Sequence, residues 1–439
     1  MAETDTDAAD RFEPAVSPEK LDEGKRNLWQ RYNRLPRNVL AIGFVSLLND
    51  ASSEIIYPLL PLFLTMTLGA SPAVVGIIEG AAESTSSLLK LFAGYWSDRR
   101  GKRKGLVVFG YAIAGLARPL LAFATNWYQV LAVRLTDRVG KGVRSAPRDA
   151  MIADAVPVTE RGLAFGFHRA MDHAGAVVGP LVGYLLLYFI ALNRNAPTAS
   201  DYTKVFLAAS VPALAAVLVA AFFVRETQAG KDVNGKVAKP PALSLKGFDG
   251  NFKRFLFLVA LFTLSNSSDA FLLLRAQTAG ISVVLIPLLW AALHVSKVLS
   301  SLIGGDLSDR LGRRTLIVSG WLLYAAVYLG FAFVSSAWMA WALFLIYGIY
   351  FGLAEGTEKA LVADLVRPEQ RGTAYGLYNL AFSITVLPAS LLMGAVWDWR
   401  GPQAAFIVSA ILGAVAALLL LSIVNTGPSG GSYRTQEES

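Results

Sequence analysis

Twelve runs of about 20 or more largely apolar residues divide this chain, and a helix of that length crosses the roughly 30 Å of hydrocarbon in a bilayer. They fall near 38–67, 72–97, 105–124, 127–150, 162–192, 204–224, 252–275, 280–305, 315–336, 338–364, 372–397 and 402–424. The runs lack the ten-residue alternation of barrel strands, so a lipid-facing β-structure is excluded. With 54% hydrophobic and only 16% charged residues, the solvent of this chain is a bilayer. The expected fold class is an all-α integral membrane protein.

The runs are not independent. Gly94-Tyr-Trp-Ser-Asp98-Arg99-Arg-Gly101-Lys-Arg103 and Gly305-Asp-Leu-Ser-Asp309-Arg310-Leu-Gly312-Arg-Arg314, 211 positions apart, each close one apolar run and open the next. A second echo lies at an offset of 210: Ala153-Asp154-Ala-Val156 with Arg161-Gly162-Leu-Ala164-Phe-Gly166 is answered by Ala363-Asp364-Leu-Val366 with Arg371-Gly372-Thr-Ala374-Tyr-Gly376. Two equivalent halves follow. The Ser-Asp-Arg turn resembles the loop between helices 2 and 3 of the major facilitator superfamily, which recurs between helices 8 and 9. The resemblance covers roughly residues 38 to 424. It implies twelve transmembrane helices in two pseudo-twofold-related six-helix bundles, a bacterial inner-membrane setting and a functional monomer.

On that plan residues 1–37 are a cytoplasmic tail, 38–224 the N-terminal bundle, 225–251 a basic linker, 252–424 the C-terminal bundle and 425–439 a second tail. No short apolar core precedes a small-residue cleavage site, so no signal peptide is expected to be removed. Basic residues crowd both echo turns and the linker, whereas the opposite turns carry little beyond Arg194, Lys204, Arg275 and Arg400. The positive-inside rule therefore places both termini in the cytoplasm. That asymmetry accounts for the net charge of +8 without a nucleic-acid partner. Cysteine is absent, the three histidines have no metal-motif spacing, and no phosphate-binding loop is present. No metal, cofactor or enzymatic activity is expected.

Charge at membrane depth carries the functional reading, because fold alone would not retain it. Span 1 carries Asn49, Asp50, Ser52, Ser53 and Glu54, and span 7 carries Asn266 to Asp269; such polar breaks at matching places point to a central site. Asp50 and Glu54 share one helical face. Span 2 presents Glu79, Glu83 and Lys90 at helical steps, and span 3 ends on Arg118, for which pairing is expected. Span 4 carries Arg134, Asp137, Arg138, Lys141, Arg144 and Arg148. It resembles the family's fourth-helix motif, with Arg134 and Gly140 matching and Asp137 and Arg138 departing from the usual glutamine and glycine. Proton-coupling candidates are Asp50, Glu54, Glu83, Asp137 and Asp269, since separating a carboxylate from the span 4 arginines favours proton uptake.

The substrate-cavity candidates are Arg134, Arg138, Lys141, His168, Arg169, Asp172, Asn266, His294, Lys297, Glu355, Tyr378 and Asn379. Gly94, Asp98, Arg99, Gly101, Arg103, Asp309, Arg310 and Gly312 form a candidate gating motif. Gly175, Gly179, Pro180 and Gly183 resemble the family's antiporter-associated fifth-helix motif, and read equally as a seam for close helix packing. Arg148 and Asp149 correspond to Glu358 and Lys359, an inversion open to pairing across the halves or within each. The expected activity is alternating access by a secondary transporter moving a small molecule and protons across the lipid bilayer. Export by proton antiport ranks ahead of proton-coupled uptake of an organic anion, with a membrane substrate sensor as a remote alternative.

Overall fold

The computed structural model describes residues 35–100, 102–157, 160–227, 244–367 and 370–423, which are helical with no strand among them. The helices are α1 (Arg37–Thr67), α2 (Pro72–Arg100), α3 (Lys104–Phe123), α4 (Trp127–Asp154), α5 (Arg161–Ile190) and α6 (Ala199–Phe223) in the first half. In the second half they are α7 (Gly250–Thr278), α8 (Ile286–Leu311), α9 (Arg313–Phe333), α10 (Ala337–Asp364) and α11 (Arg371–Ile423). By length and composition, nine helical stretches among the described residues suffice to cross a membrane. Helices α2 and α4 have the length but are too polar along it to be among those nine. The 53-residue α11 turns at Gly401, whose φ of 83° only glycine adopts readily, with Pro402 starting the next segment. Most of the linker, 228–243, and the tails 1–34 and 424–439 lie outside the described residues.

Within the first half α1 packs on α5 and α6, and α4 on α2 and α3; within the second, α8 packs on α10, and α7 and α9 on α11. Glycines set these contacts. A Cβ on Gly175 would stand 2.5 Å from the Leu47 carbonyl oxygen, and one on Gly179 2.5 Å from that of Ala51. Gly183 continues the row against Ile55. The fifth-helix motif is thus the seam between α5 and α1, and Pro180 lies within that helix. A corresponding seam joins α8 to α10, where a Cβ on Gly348 or Gly352 would strike Ser296 or Ser300.

The halves touch along α2 with α11 and α5 with α8. Hydrogen bonds joining them gather at the end away from the echo turns: Ala73 N to Asp398 at 3.2 Å, Ser84 Oγ to the Ser383 carbonyl at 2.8 Å, and Ser282 Oγ and Val284 N to the Arg194 carbonyl at 2.8 and 3.2 Å. Gly76, Gly80 and Gly394 allow that approach. Toward the echo turns Arg169, Glu355 and Asn379 are exposed.

The polar stretch of span 1 leaves the backbone helical, so Asp50 and Glu54 share a helical face. Helix α1 runs unbroken from Arg37 to Ile56 and loosens only at Tyr57–Leu59, before the π turn Phe63–Thr67. Arg118 donates to the Asn49 carbonyl at 2.9 Å and to its side-chain oxygen at 3.0 Å. Helix α7 does break at 266–269, where Ser267 and Ser268 lie between two helical segments.

Candidate functional site

Arg134, Asp137 and Arg138 of α4 meet opposite charges on neighbouring helices. Arg134, 4% exposed, forks onto Glu79, 6% exposed, through Nε to Oε1 at 3.1 Å and Nη2 to Oε2 at 2.7 Å. Asp137 accepts from Arg118 Nε at 3.0 Å. Arg138 lies between Glu83, at 3.9 Å, and Asp137, at 4.0 Å. Arg144 stacks over Tyr111 at 4.6 Å. The bundle of α2, α3 and α4 is therefore held together by its charges, as hydrocarbon requires. Of the cavity candidates on α4, Arg134 is committed to such a pair, and Lys141 alone forms no direct ion pair among the described residues. It stands half-buried in the field of Glu83 and Asp50.

Beside this network two carboxylates of α1 have no lysine or arginine partner among the described residues. Asp50 accepts from Asn49 Nδ2 at 2.8 Å. Glu54 accepts from Trp290 Nε1, across the boundary between halves, at 2.7 Å, with His294 Nε2 3.9 Å away. Below them on α5, buried His168 meets Ser46 Oγ at 2.9 Å and Asp172 at 3.6 Å.

The facing wall is aromatic. Asp269 accepts from Tyr347 at 2.8 Å and pairs with Lys297 at 3.6 Å; Asn266 donates to Tyr350 at 3.2 Å. Lys297 Nζ lies 3.6 Å from the centre of the Phe351 ring and 5.4 Å from that of Trp290. Sequence reasoning passed over Trp290, Tyr347, Tyr350 and Phe351, since aromatic residues are ordinary in membrane helices. The available signal was spacing: Trp290, His294 and Lys297 follow one another at helical steps and share a face.

Glu358 and Tyr378 lie apart from this cavity. Buried Glu358 accepts from Trp321 Nε1 at 2.8 Å and from Tyr378 at 2.7 Å. Its counterpart Arg148 pairs with Asp149 at 2.9 Å, and Lys359 with Glu355 at 3.2 Å, so these inverted charges pair within each half. Trp321 and Tyr378 stand 210 positions after Tyr111 and His168, and the duplication has kept one polar pocket while inverting its central charge.

In the gating motif, the side chains of Asp98, Arg99 and Asp309, and Gly101 as a whole, lie outside what the structure describes. Gly94 packs on Ala146, Arg310 is exposed, and Gly312 turns the chain with φ 86°. Arg103 pairs with Asp154, and Arg313 with Asp364 at 2.8 Å. The structural repeat therefore sets Arg103 against Arg313, one position earlier than the Ser-Asp-Arg alignment does.

The family model for the Major Facilitator Superfamily matches residues 42–387 and 255–438. An MFS-type transporter of Methanocaldococcus jannaschii is 35% identical over 395 residues, 89% of this chain and 95% of that one. A protein of Lactococcus lactis described as a multi-drug resistance efflux pump PmrA homolog is 26% identical over 391 residues, 85% and 91% of the two chains. Among solved structures, the nucleoside transporter NupG matches with a TM-score of 0.75 at 13% identity, covering 88% of this chain and all of that one. A bacterial homolog of the lysosomal transporter Spinster, in an inward-facing and occupied conformation, matches with a TM-score of 0.72 at 17% identity, covering 90% and 97%. With paired charges holding the first half, an aromatic wall on the second and a family match along its length, the chain belongs to the major facilitator superfamily and is an integral membrane transporter.

Proposed function

We propose that the protein exports a small organic compound in exchange for protons, by rocking of its two halves about the central cavity. The observation that carries this reading is the Glu54–Trp290 hydrogen bond. It joins a carboxylate at membrane depth to the opposite half, and Glu54 has no lysine or arginine partner among the described residues. Rocking that opens the other end breaks this bond, so the two states offer Glu54 different surroundings, which proton coupling requires. Asp50, on the same helical face, is a second candidate carrier, whereas Asp137 and Glu83 are occupied by arginines and Asp269 by Lys297.

Neutralisation of Arg134 and Arg138 within the first half weighs against an anion as substrate. The aromatic wall suits an organic body, and relatives described as multidrug efflux pumps agree with that direction. Unpaired Lys141 and exposed Arg169 favour the second reading, proton-coupled uptake of an organic anion. On either reading the protein sits in the inner membrane with both termini and the echo turns cytoplasmic. The state described here is then open to the cytoplasm, and the echo turns act as latches in the other state.

Proteoliposomes carrying an imposed pH gradient test the proposal against panels of organic cations, neutral compounds and anions. Collapse of the gradient by a cation or neutral compound with wild-type protein, and its loss in Glu54→Gln, is the expected result. Unaltered proton movement in Glu54→Gln would overturn the assignment, and collapse by anions alone would favour uptake. Since the chain has no cysteine, single cysteines in the tails and echo turns report their sidedness without background.

A further inference from the structure

Close packing of α8 on α10 brings Lys297 over Phe351. Ser296 Oγ donates to the Leu345 carbonyl at 2.7 Å and Ser300 Oγ to that of Gly348 at 2.9 Å, fixing the register. The ammonium of Lys297 then meets the face of Phe351 at 3.6 Å, the ring of Trp290 at 5.4 Å and the Asp269 carboxylate at 3.6 Å. Tyr347 orients Asp269 from behind, donating at 2.8 Å. One carboxylate and two aromatic faces are what a desolvated organic cation needs. His294 Nε2, buried and without a hydrogen-bond partner, stands between this box and Glu54. The other titratable groups near Lys297 are Glu355 on α10 and His173 on α5.

The geometry points to an organic-ammonium site in the second half: Asp269, Phe351 and Trp290 form a box that Lys297 fills until the substrate's cationic head displaces it. The inference rests on the export reading and gives its substrate a class, an ammonium joined to an apolar or aromatic body. Lys297 is then a specificity-determining residue that acts as a tethered competitor. A weakly apolar amine cannot evict it, whereas a cation that covers the exposed part of the Phe351 ring with an apolar or aromatic body can. Because Trp290 also donates to Glu54, filling the box bears on the bond that joins the halves.

The test uses the purified full chain in detergent micelles with benzyltrimethylammonium as the probe and phenylacetate as its anionic counterpart. Displacement moves the Lys297 amine into water, so the cation is expected to raise acetylation of Lys297 by acetic anhydride several-fold, read by mass spectrometry. Protection of Lys297 by the cation, no change, or protection by phenylacetate would each overturn the proposal. In equilibrium dialysis Lys297→Gln is expected to bind the cation about tenfold more tightly, the scale of one lost competing contact. Asp269→Asn should abolish binding, and in Asp269→Asn/Lys297→Gln the gain should vanish. Unchanged or weaker binding by a monodisperse Lys297→Gln protein would refute the competitor role; where that variant does not stay folded, labelling of the wild type decides. No gradient is involved, so loss of proton coupling in Glu54→Gln leaves this result standing, and the reverse also holds.

Discussion

Arg134 and Glu79 allow a structural role to be separated from a ligand-binding one. The pair is bidentate, at 3.1 and 2.7 Å, with both residues almost sealed. Replacing Arg134 by methionine keeps the volume but strands the Glu79 carboxylate between α2 and α4, and breaking a buried pair in this way costs about 3–5 kcal/mol. Replacing both, as Arg134→Met/Glu79→Leu, removes the stranded charge and is expected to recover most of that loss. For a bundle of this size the single variant should melt roughly 6–20 °C lower. The assay is thermal unfolding in detergent followed by fluorescence-detected size exclusion, with transport in proteoliposomes measured alongside. The double variant is expected to regain stability and to transport within a few-fold of wild type. A single variant as stable as the double would refute the energetic reasoning. A stable double variant that no longer transports would return Arg134 to the list of substrate ligands.

Three further outcomes follow from the packing and the polar contacts. Gly179→Ala puts a Cβ 2.5 Å from the Ala51 carbonyl oxygen and 2.9 Å from Glu54 Cβ, so it should destabilise by about 1–3 kcal/mol and depress transport. Gly166→Ala on the same helix meets nothing within 4 Å and should be neutral in the same unfolding assay. Glu358→Gln leaves its amide oxygen to accept from Trp321 and turns its N–H2 toward Tyr378, whose hydroxyl must then accept rather than donate, so it should cost about 1 kcal/mol in thermal stability while leaving substrate binding unaltered. Trp290→Phe keeps the ring but removes the donor to Glu54, and is expected to lower proton movement per substrate carried, measured as pH change against substrate flux.

Much of the architecture was legible because bilayer solvation leaves few choices: apolar runs must be helices, and repeated turns must mark repeated halves. The glycine row of α5 was legible as a seam, since steps of four place Gly175, Gly179 and Gly183 on one face. The site was legible only as an inventory of charges. Sequence spacing puts Arg134 and Arg138 on one stripe but cannot say that Glu79 and Glu83 of α2 already face them, because those contacts arise between helices. The contact of Asn49 with Arg118, 69 residues away, likewise arises only in the folded chain. The aromatic box escaped notice for a different reason: Phe351 and Tyr347 resemble core residues until the position of Lys297 gives them a charge to face.

Which contacts join helices within a half, and which join the halves, decides what can move. Inside the first half the Arg134–Glu79 and Arg118–Asp137 pairs are sealed, and opening either costs about 3–5 kcal/mol. Hydrogen bonds between the halves among the described residues include Ala73–Asp398, Ser84–Ser383, the two bonds to the Arg194 carbonyl and Trp290–Glu54. Each is a single hydrogen bond worth about 0.5–1.5 kcal/mol net, so parting all of them costs about as much as breaking one or two buried pairs. Water entering the opened end recovers part of that cost, and contacts formed at the echo-turn end recover more. Each half should therefore move as a rigid unit, and the cheapest displacement open to the molecule is the one that exchanges Glu54's donor.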